Sequence, residues 1–182
     1  WRLTGNAKYA RRGIDALLAF CREFPAERKE IRLSQFGGRG HIMYAMALGA
    51  WLFENVMTPQ EKNELARCGA GYIDLFLEEA ENPKVFYYKV HNWNGLAIGP
   101  CAMFAALLPE YPGNAGRLAE SLRIVKRWLD ASIDEKGGFL EGPHYLSYGG
   151  DRVFLMAWIL RDRGGEDLFR LPKIQKLPAM MI

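Results

Sequence analysis

The sequence predicts an all-α protein, an α/α toroid built from three antiparallel helix pairs. Three observations predict it. Six stretches carry helical periodicity or helix-length apolar runs, and only one short stretch, 85–90, is β-prone. The six stretches alternate in character, amphipathic then apolar on all sides, three times over. No sequence period repeats, which disfavours the common solenoid families, although a solenoid of helix pairs is the near alternative. The alternation has a physical cause. In two concentric layers, outer helices meet solvent on one face, while inner helices are covered by the outer layer and by each other.

Each element follows from its own residues. Helix one, about 7–22, lines up Ile14, Leu17, Leu18 and Cys21 on one face, and Pro25 closes it. Helix two, about 41–56, has no charge between His41 and Glu54, so it is expected to be buried. Thr58-Pro59-Gln60-Glu61 is a helix start: Thr58 caps, Pro59 suits the first turn and Glu61 completes a capping box. Helix three then runs to about 81 with Leu65, Cys68, Tyr72 and Leu75 on its apolar face, and Asn82-Pro83 ends it. The stretch 85–90 reads as an extended connection. Helix four, about 94–108, is again uncharged, and Tyr111-Pro112-Gly113 is a turn. Helix five, about 115–133, is amphipathic through Leu118, Leu122, Val125 and Leu129, and a turn follows at Lys136-Gly137-Gly138. Helix six, about 151–161, contains an unbroken apolar run from Val153 to Leu160, stops at Gly164-Gly165 and precedes a weak tail. The pairs therefore occupy about 7–56, 59–108 and 115–161 of a single domain spanning 1–182.

Composition narrows the classes. At 182 residues the chain can bury one sizeable core, and 49% hydrophobic with 25% charged residues is ordinary for a globular domain. The net charge of +3 is dispersed, so Lys126-Arg127 and Arg161-Asp162-Arg163 read as solvated helix faces and no nucleic-acid partner is expected. No apolar run approaches the ~18 residues of a membrane span, so no membrane partner is expected. Cys21, Cys68 and Cys101 lack metal-ligand spacing and read as buried free thiols, with no metal and no cofactor evident. The chain opens at Trp1 without methionine and stops without a closing element, so an excerpt of a longer protein is expected.

All three histidines fall at the start of an apolar helix. They are His41 after Gly37-Gly38-Arg39-Gly40, His91 before Asn92-Trp93-Asn94-Gly95, and His144 within Glu141-Gly142-Pro143-His144-Tyr145-Leu146-Ser147-Tyr148-Gly149-Gly150. If the inner helices run parallel, their N-termini share one rim, and exposed N–H groups and positive dipole ends favour carboxylates there. Tyr145 and Tyr148 can donate or accept a proton, His91 can assist or neutralise a carboxylate, Asn92 and Asn94 offer amides, and Trp93 can stack on a sugar ring. The alternative is that these residues cap helices and fill the centre.

The segments His91-Asn92-Trp93-Asn94-Gly95 and Gly138-Phe139-Leu140-Glu141-Gly142-Pro143-His144-Tyr145-Leu146-Ser147-Tyr148-Gly149 resemble the heparinase II/III-like polysaccharide lyases, a superfamily that includes oligoalginate lyases. The resemblance spans roughly 39–165. It implies an incomplete toroid followed by a C-terminal β-sandwich domain, in a periplasmic or secreted enzyme acting on an acidic polysaccharide or oligosaccharide. The implied reaction is β-elimination at a uronic acid. On the matching positions, Tyr145 is the catalytic tyrosine with Tyr148 as its rival, His91 assists, and Asn94 neutralises the carboxylate with Asn92 as the second candidate. Trp93, Glu141, His144, Tyr148, His41, Arg39, Arg152 and Asn92 are the implied substrate contacts. Two other classes stay open: a toroidal glycoside hydrolase using Glu141 and Asp151 as its two carboxyl groups, and a non-catalytic glycan-binding helical module.

Overall fold

A computed structural model describes residues 5–28, 30–31, 36–82 and 90–177, so the bulk of the predicted extended connection, 85–89, lies outside the described residues. Within them the chain is helical, with no strand. The elements are α1 (Ala7–Glu23), α2 (Phe36–Phe53), α3 (Pro59–Ala80), α4 (Trp93–Leu107), α5 (Asn114–Ser132), α6 (Pro143–Asp162), a 3₁₀ turn (Leu168–Arg170) and α7 (Pro172–Lys176). The predicted cap at α3 is present: Thr58 Oγ1 accepts the Glu61 N–H at 3.3 Å, and Glu61 Oε2 accepts the Thr58 N–H at 2.8 Å.

Contacts give the helix directions. The amphipathic helices α1, α3 and α5 run parallel, because Arg11 pairs with Glu61 and the Tyr72 hydroxyl reaches the Phe24 carbonyl further along both helices. In the same way Asp74 pairs with Arg117, and Glu81 with Arg127. The apolar helices α2, α4 and α6 are also parallel. Gly37 lies on Trp93 and Gly40 on Ala97, while Gly95 lies on Gly149 and Gly99 on Val153. Between the two sets the direction reverses: Gly13 faces Phe53 and Gly49 faces Leu17.

The middle apolar helix is enclosed. α3 and α5 cover α4 on one side, where Phe104 packs on Gly69 and Trp128 on Gly95. On the other side α2 and α6 meet above it along a seam that pairs His41 with Tyr148, Tyr44 with Arg152, Trp51 with Trp158 and Glu54 with Arg163. Every residue of α4 from Asn94 to Ala105 is buried. Pro100 sits inside this helix, and an interior proline costs about 3 kcal/mol. Leu96, Ile98, Met103 and Phe104, all fully buried, each contribute roughly 1.5–3 kcal/mol and outweigh it.

Three expectations need correcting. Helix two begins at Phe36 rather than His41, and helix six at Pro143 rather than Asp151. The Gly-rich stretches ahead of them read as loops because glycine lowers helix propensity. Here Gly37, Gly40 and Gly149 are contact surfaces, against Trp93, Ala97 and the Asn92 carbonyl respectively, and neighbouring helices fill the space a side chain would take. The tail is also structured as far as Leu177, with Leu168 and Ile174 buried in the core.

Candidate functional site

The first turns of α2 and α6 and the entry to α4 lie together, as parallel neighbouring helices require. His41 is in the second turn of α2, His91 precedes α4 by two residues and His144 is the second residue of α6. Two side-chain groups occupy this rim.

The first group starts from Pro100. Without an N–H, Pro100 cannot bond the carbonyl of Leu96 one turn earlier. Arg152, a buried guanidinium on α6, donates to that carbonyl at 3.3 Å and stacks 4.5 Å over the Tyr44 ring. Its second terminal nitrogen lies 3.0 Å from His41 Nδ1. Arginine only donates, so Nδ1 accepts and the neutral imidazole carries its proton on Nε2. That N–H donates to the Tyr148 hydroxyl at 3.0 Å. The phenolic proton of Tyr148 therefore points away from His41, and its oxygen is fixed. Lost hydration and the Arg152 charge lower the His41 pKa from 6.5, which keeps the imidazole neutral. Burial raises the Asp151 pKa, while Asp151 Oδ1 accepts the Arg152 backbone N–H at 2.7 Å.

The second group surrounds the start of α4. Trp128 Nε1 and the Ser132 hydroxyl both donate to the Val90 carbonyl and anchor the approach. His91 Nδ1 accepts the Trp93 N–H at 3.2 Å, and its ring packs edge-on against Trp93 at 5.0 Å. Asn94 Nδ2 donates to the His91 carbonyl at 3.1 Å. Glu141 Oε2 accepts the Asn92 N–H at 2.6 Å, and Oε1 the Asn92 amide at 3.4 Å. A carboxylate thus occupies the positive end of α4, where the helix field stabilises it. The two groups touch through the backbone, since Gly149, next to Tyr148, lies against the Asn92 carbonyl.

The remaining predicted residues are placed differently. Arg39 is 2% exposed and holds both carboxylate oxygens of Glu79 at 2.7 Å, with its guanidinium 5.5 Å over Phe76. It faces the outer layer. Tyr145 and His144 pack edge-on at 5.6 Å on the exposed side of α6. Tyr145 is 46% exposed and Tyr148 39%. Tyr148 is held by His41, whereas the contact found for Tyr145 is the His144 ring.

Sequence reasoning missed Tyr44, Pro100, Trp51 and Trp158. Helical spacing was the available signal: His41, Tyr44, Leu48 and Trp51 share one stripe of α2, as Tyr148, Arg152, Leu155 and Trp158 share one of α6. The rim as built presents an exposed phenol held by His41, backed by a buried cation, while the side-chain amides of Asn92 and Asn94 are bonded to Glu141 and to the His91 carbonyl. Among the described residues no three His, Cys, Asp or Glu side chains are grouped to hold a metal ion, and no helix is long and apolar enough to cross a membrane. No family model, curated protein or solved structure matches the chain, so a functional reading rests on this geometry and on the sequence motifs.

Proposed function

We propose that the chain is the helical part of a polysaccharide lyase that cleaves a uronic-acid polymer by β-elimination. In this reading the three helix pairs belong to an incomplete α/α toroid, a β-sandwich follows them in a longer secreted or periplasmic enzyme, and the ligand is an acidic polysaccharide or oligosaccharide. The observation that carries the reading is the Arg152–His41–Tyr148 chain beside the Asn92–Glu141 entry to α4.

β-Elimination removes the proton at C5, breaks the C4–O bond and protonates the leaving oxygen. Negative charge develops on the uronate carboxylate, and donors aimed at that charge lower the barrier. Asn94, with Asn92 as the second candidate and His91 beside them, is the group for this task, and its amide must leave its present partner, the His91 carbonyl, when the substrate binds. A tyrosine hydroxyl delivers the proton to the leaving oxygen, a contribution of roughly 10²–10⁴-fold. Tyr148 suits that role because His41 already donates to its oxygen and leaves its own proton for another acceptor. Tyr145, two residues past Pro143 on the exposed side, is the other candidate. The hydrolase alternative requires two available carboxyl groups, and Glu141 is engaged at both oxygens by Asn92.

The test is incubation of the chain, and of any longer form that carries it, with several uronic-acid polymers while following the ultraviolet absorbance of unsaturated uronate. Activity lost in Tyr148→Phe and retained in Tyr145→Phe supports the assignment, and the opposite pattern moves the proton donor to Tyr145. Products without a double bond, or neither turnover nor binding of uronate oligomers, overturn the lyase reading.

A further inference from the structure

Two of the three scattered cysteines meet. Cys21 lies in the last turn of α1 and Cys68 in the third turn of α3, between two contacts that set the register of these helices, Arg22 to Glu64 and the Tyr72 hydroxyl to the Phe24 carbonyl. They form part of the wall of a cavity of about 480 Å³ whose rim includes the exposed side chains of Arg22, Glu27 and Arg67. Cys21 is buried and Cys68 half-buried, with Cys68 Sγ 3.8 Å from Met46 Sδ. Cys101 is fully enclosed in α4, away from this cavity.

We propose that Cys21 and Cys68 form a redox-active dithiol whose oxidant is a low-molecular-weight disulfide of the glutathione class. The proposal is independent of the lyase reading, since the pair joins two outer helices. The Cys68 thiolate attacks one sulfur of the small disulfide, forms a mixed disulfide and releases one small thiolate. That thiolate takes the Cys21 proton. Cys21 then attacks the Cys68 sulfur, the protein disulfide forms, and the second small thiolate leaves and takes up the proton that Cys68 had lost. The protein gives up two electrons and two protons, and the small disulfide becomes two thiols.

Three features fit these roles. The cavity exposes the pair to a small molecule while the Met46 thioether lies against Cys68. The neighbouring Cys21 thiol lowers the Cys68 pKa below its usual 9.0, with a smaller contribution from Arg67. Contact with Cys68 and burial raise that of Cys21, and Cys68 is the more exposed sulfur, so Cys68 is the nucleophile and the enclosed Cys21 the proton-bearing partner. Arg22 already bridges α1 to α3 through both oxygens of Glu64, at 2.6 and 3.1 Å, so the helices are held side by side before any bond forms.

The experiment treats the full chain with oxidised glutathione in the absence of oxygen, quenches with acid and measures intact mass and a peptide map. The expected result is loss of two hydrogens, a link between the Cys21 and Cys68 peptides, Cys101 as the sole alkylated thiol after denaturation, and reversal by dithiothreitol. Cys21→Ala should stop with one glutathione on Cys68, and Cys68→Ala should react about ten-fold more slowly. Three alkylatable thiols after treatment, a mixed disulfide that persists on the unmodified sequence, or a link through Cys101 overturns the proposal. Equal or faster reaction of Cys68→Ala overturns the choice of nucleophile. Should either variant fail to fold, the peptide map of the unmodified sequence still decides.

Discussion

The Tyr148 hydroxyl stands 3.0 Å from His41 Nε2, although 107 residues separate the two in the chain. The support for this bond runs backwards through Arg152 to the Leu96 carbonyl, which is free of its helical partner because residue 100 is proline. A helix-breaking residue buried in α4 therefore orients a tyrosine on α6.

That chain predicts an energetic coupling. Arg152→Met leaves the Leu96 carbonyl buried without a donor and is expected to cost roughly 1–3 kcal/mol. Pro100→Ala supplies an N–H for the same carbonyl. In a double-mutant cycle followed by urea unfolding, Pro100→Ala should recover about 1 kcal/mol more in the Arg152→Met background than in the unmodified sequence. Strict additivity would show that Pro100 does not prepare the Arg152 site.

Acid should weaken the same region. The folded-state pKa of His41 lies below its ordinary 6.5. Between those two values the unfolded chain binds a proton that the folded chain refuses, so stability falls as pH drops below about 6.5 and is unaffected by this group above it. Unfolding measured at several pH values from 5 to 8 should give a shallower acid slope for His41→Gln. Parallel profiles would remove His41 as the cause.

The contact glycines should be intolerant and the open one tolerant. A Cβ at Gly95 would stand 2.7 Å from the Gly149 carbonyl oxygen and 2.6 Å from the Trp128 ring, and one at Gly149 would stand 2.7 Å from the Asn92 carbonyl oxygen. Gly95→Ala and Gly149→Ala are each expected to lose about 1–3 kcal/mol. Gly116→Ala meets nothing within 4 Å and sits inside α5, so it should gain up to about 1 kcal/mol. Thermal melting of the three variants separates the classes.

Glu141 has a structural duty that an alanine scan should expose. Glu141→Ala strips the acceptor from the Asn92 N–H and the carboxylate from the α4 dipole, an expected loss of about 1.5–3 kcal/mol. Glu141→Gln keeps an acceptor oxygen and should lose less. Faster hydrogen exchange at Asn92 in Glu141→Ala alone would be the matching local sign, and unchanged exchange in both variants would count against the assignment.

Helix identity was legible wherever one face carried the pattern. The Thr58–Glu61 box, the stripe at Leu65, Tyr72 and Leu75, and the uncharged stretch of α4 all appear in the structure as read. The starts of α2 and α6 were not legible, because Gly37, Gly40 and Gly149 carry the same local preference whether they end a helix or admit a neighbour. Only the partner distinguishes the two, and the partners are Trp93, Ala97 and Asn92. The grouping of His41 with Tyr148 was foreseeable only as a shared rim. Its bonding depends on Pro100, a residue whose effect acts through a carbonyl on another turn. Cys21 and Cys68 met for a reason of the same kind: parallel outer helices set their register, and no spacing within one helix reports it.

Closure of α2 and α6 above α4 ties the fate of the central helix to a seam between distant parts of the chain. Amides of α4 should exchange with deuterated solvent only when the whole domain opens, while those of α7 exchange through local fraying. The order of synthesis gives this arrangement a cost in time. α4 leaves the ribosome well before α6 does, and until Val153 arrives the groove at Gly99 stays wet. That interval is when a holding chaperone would have the most surface to grip.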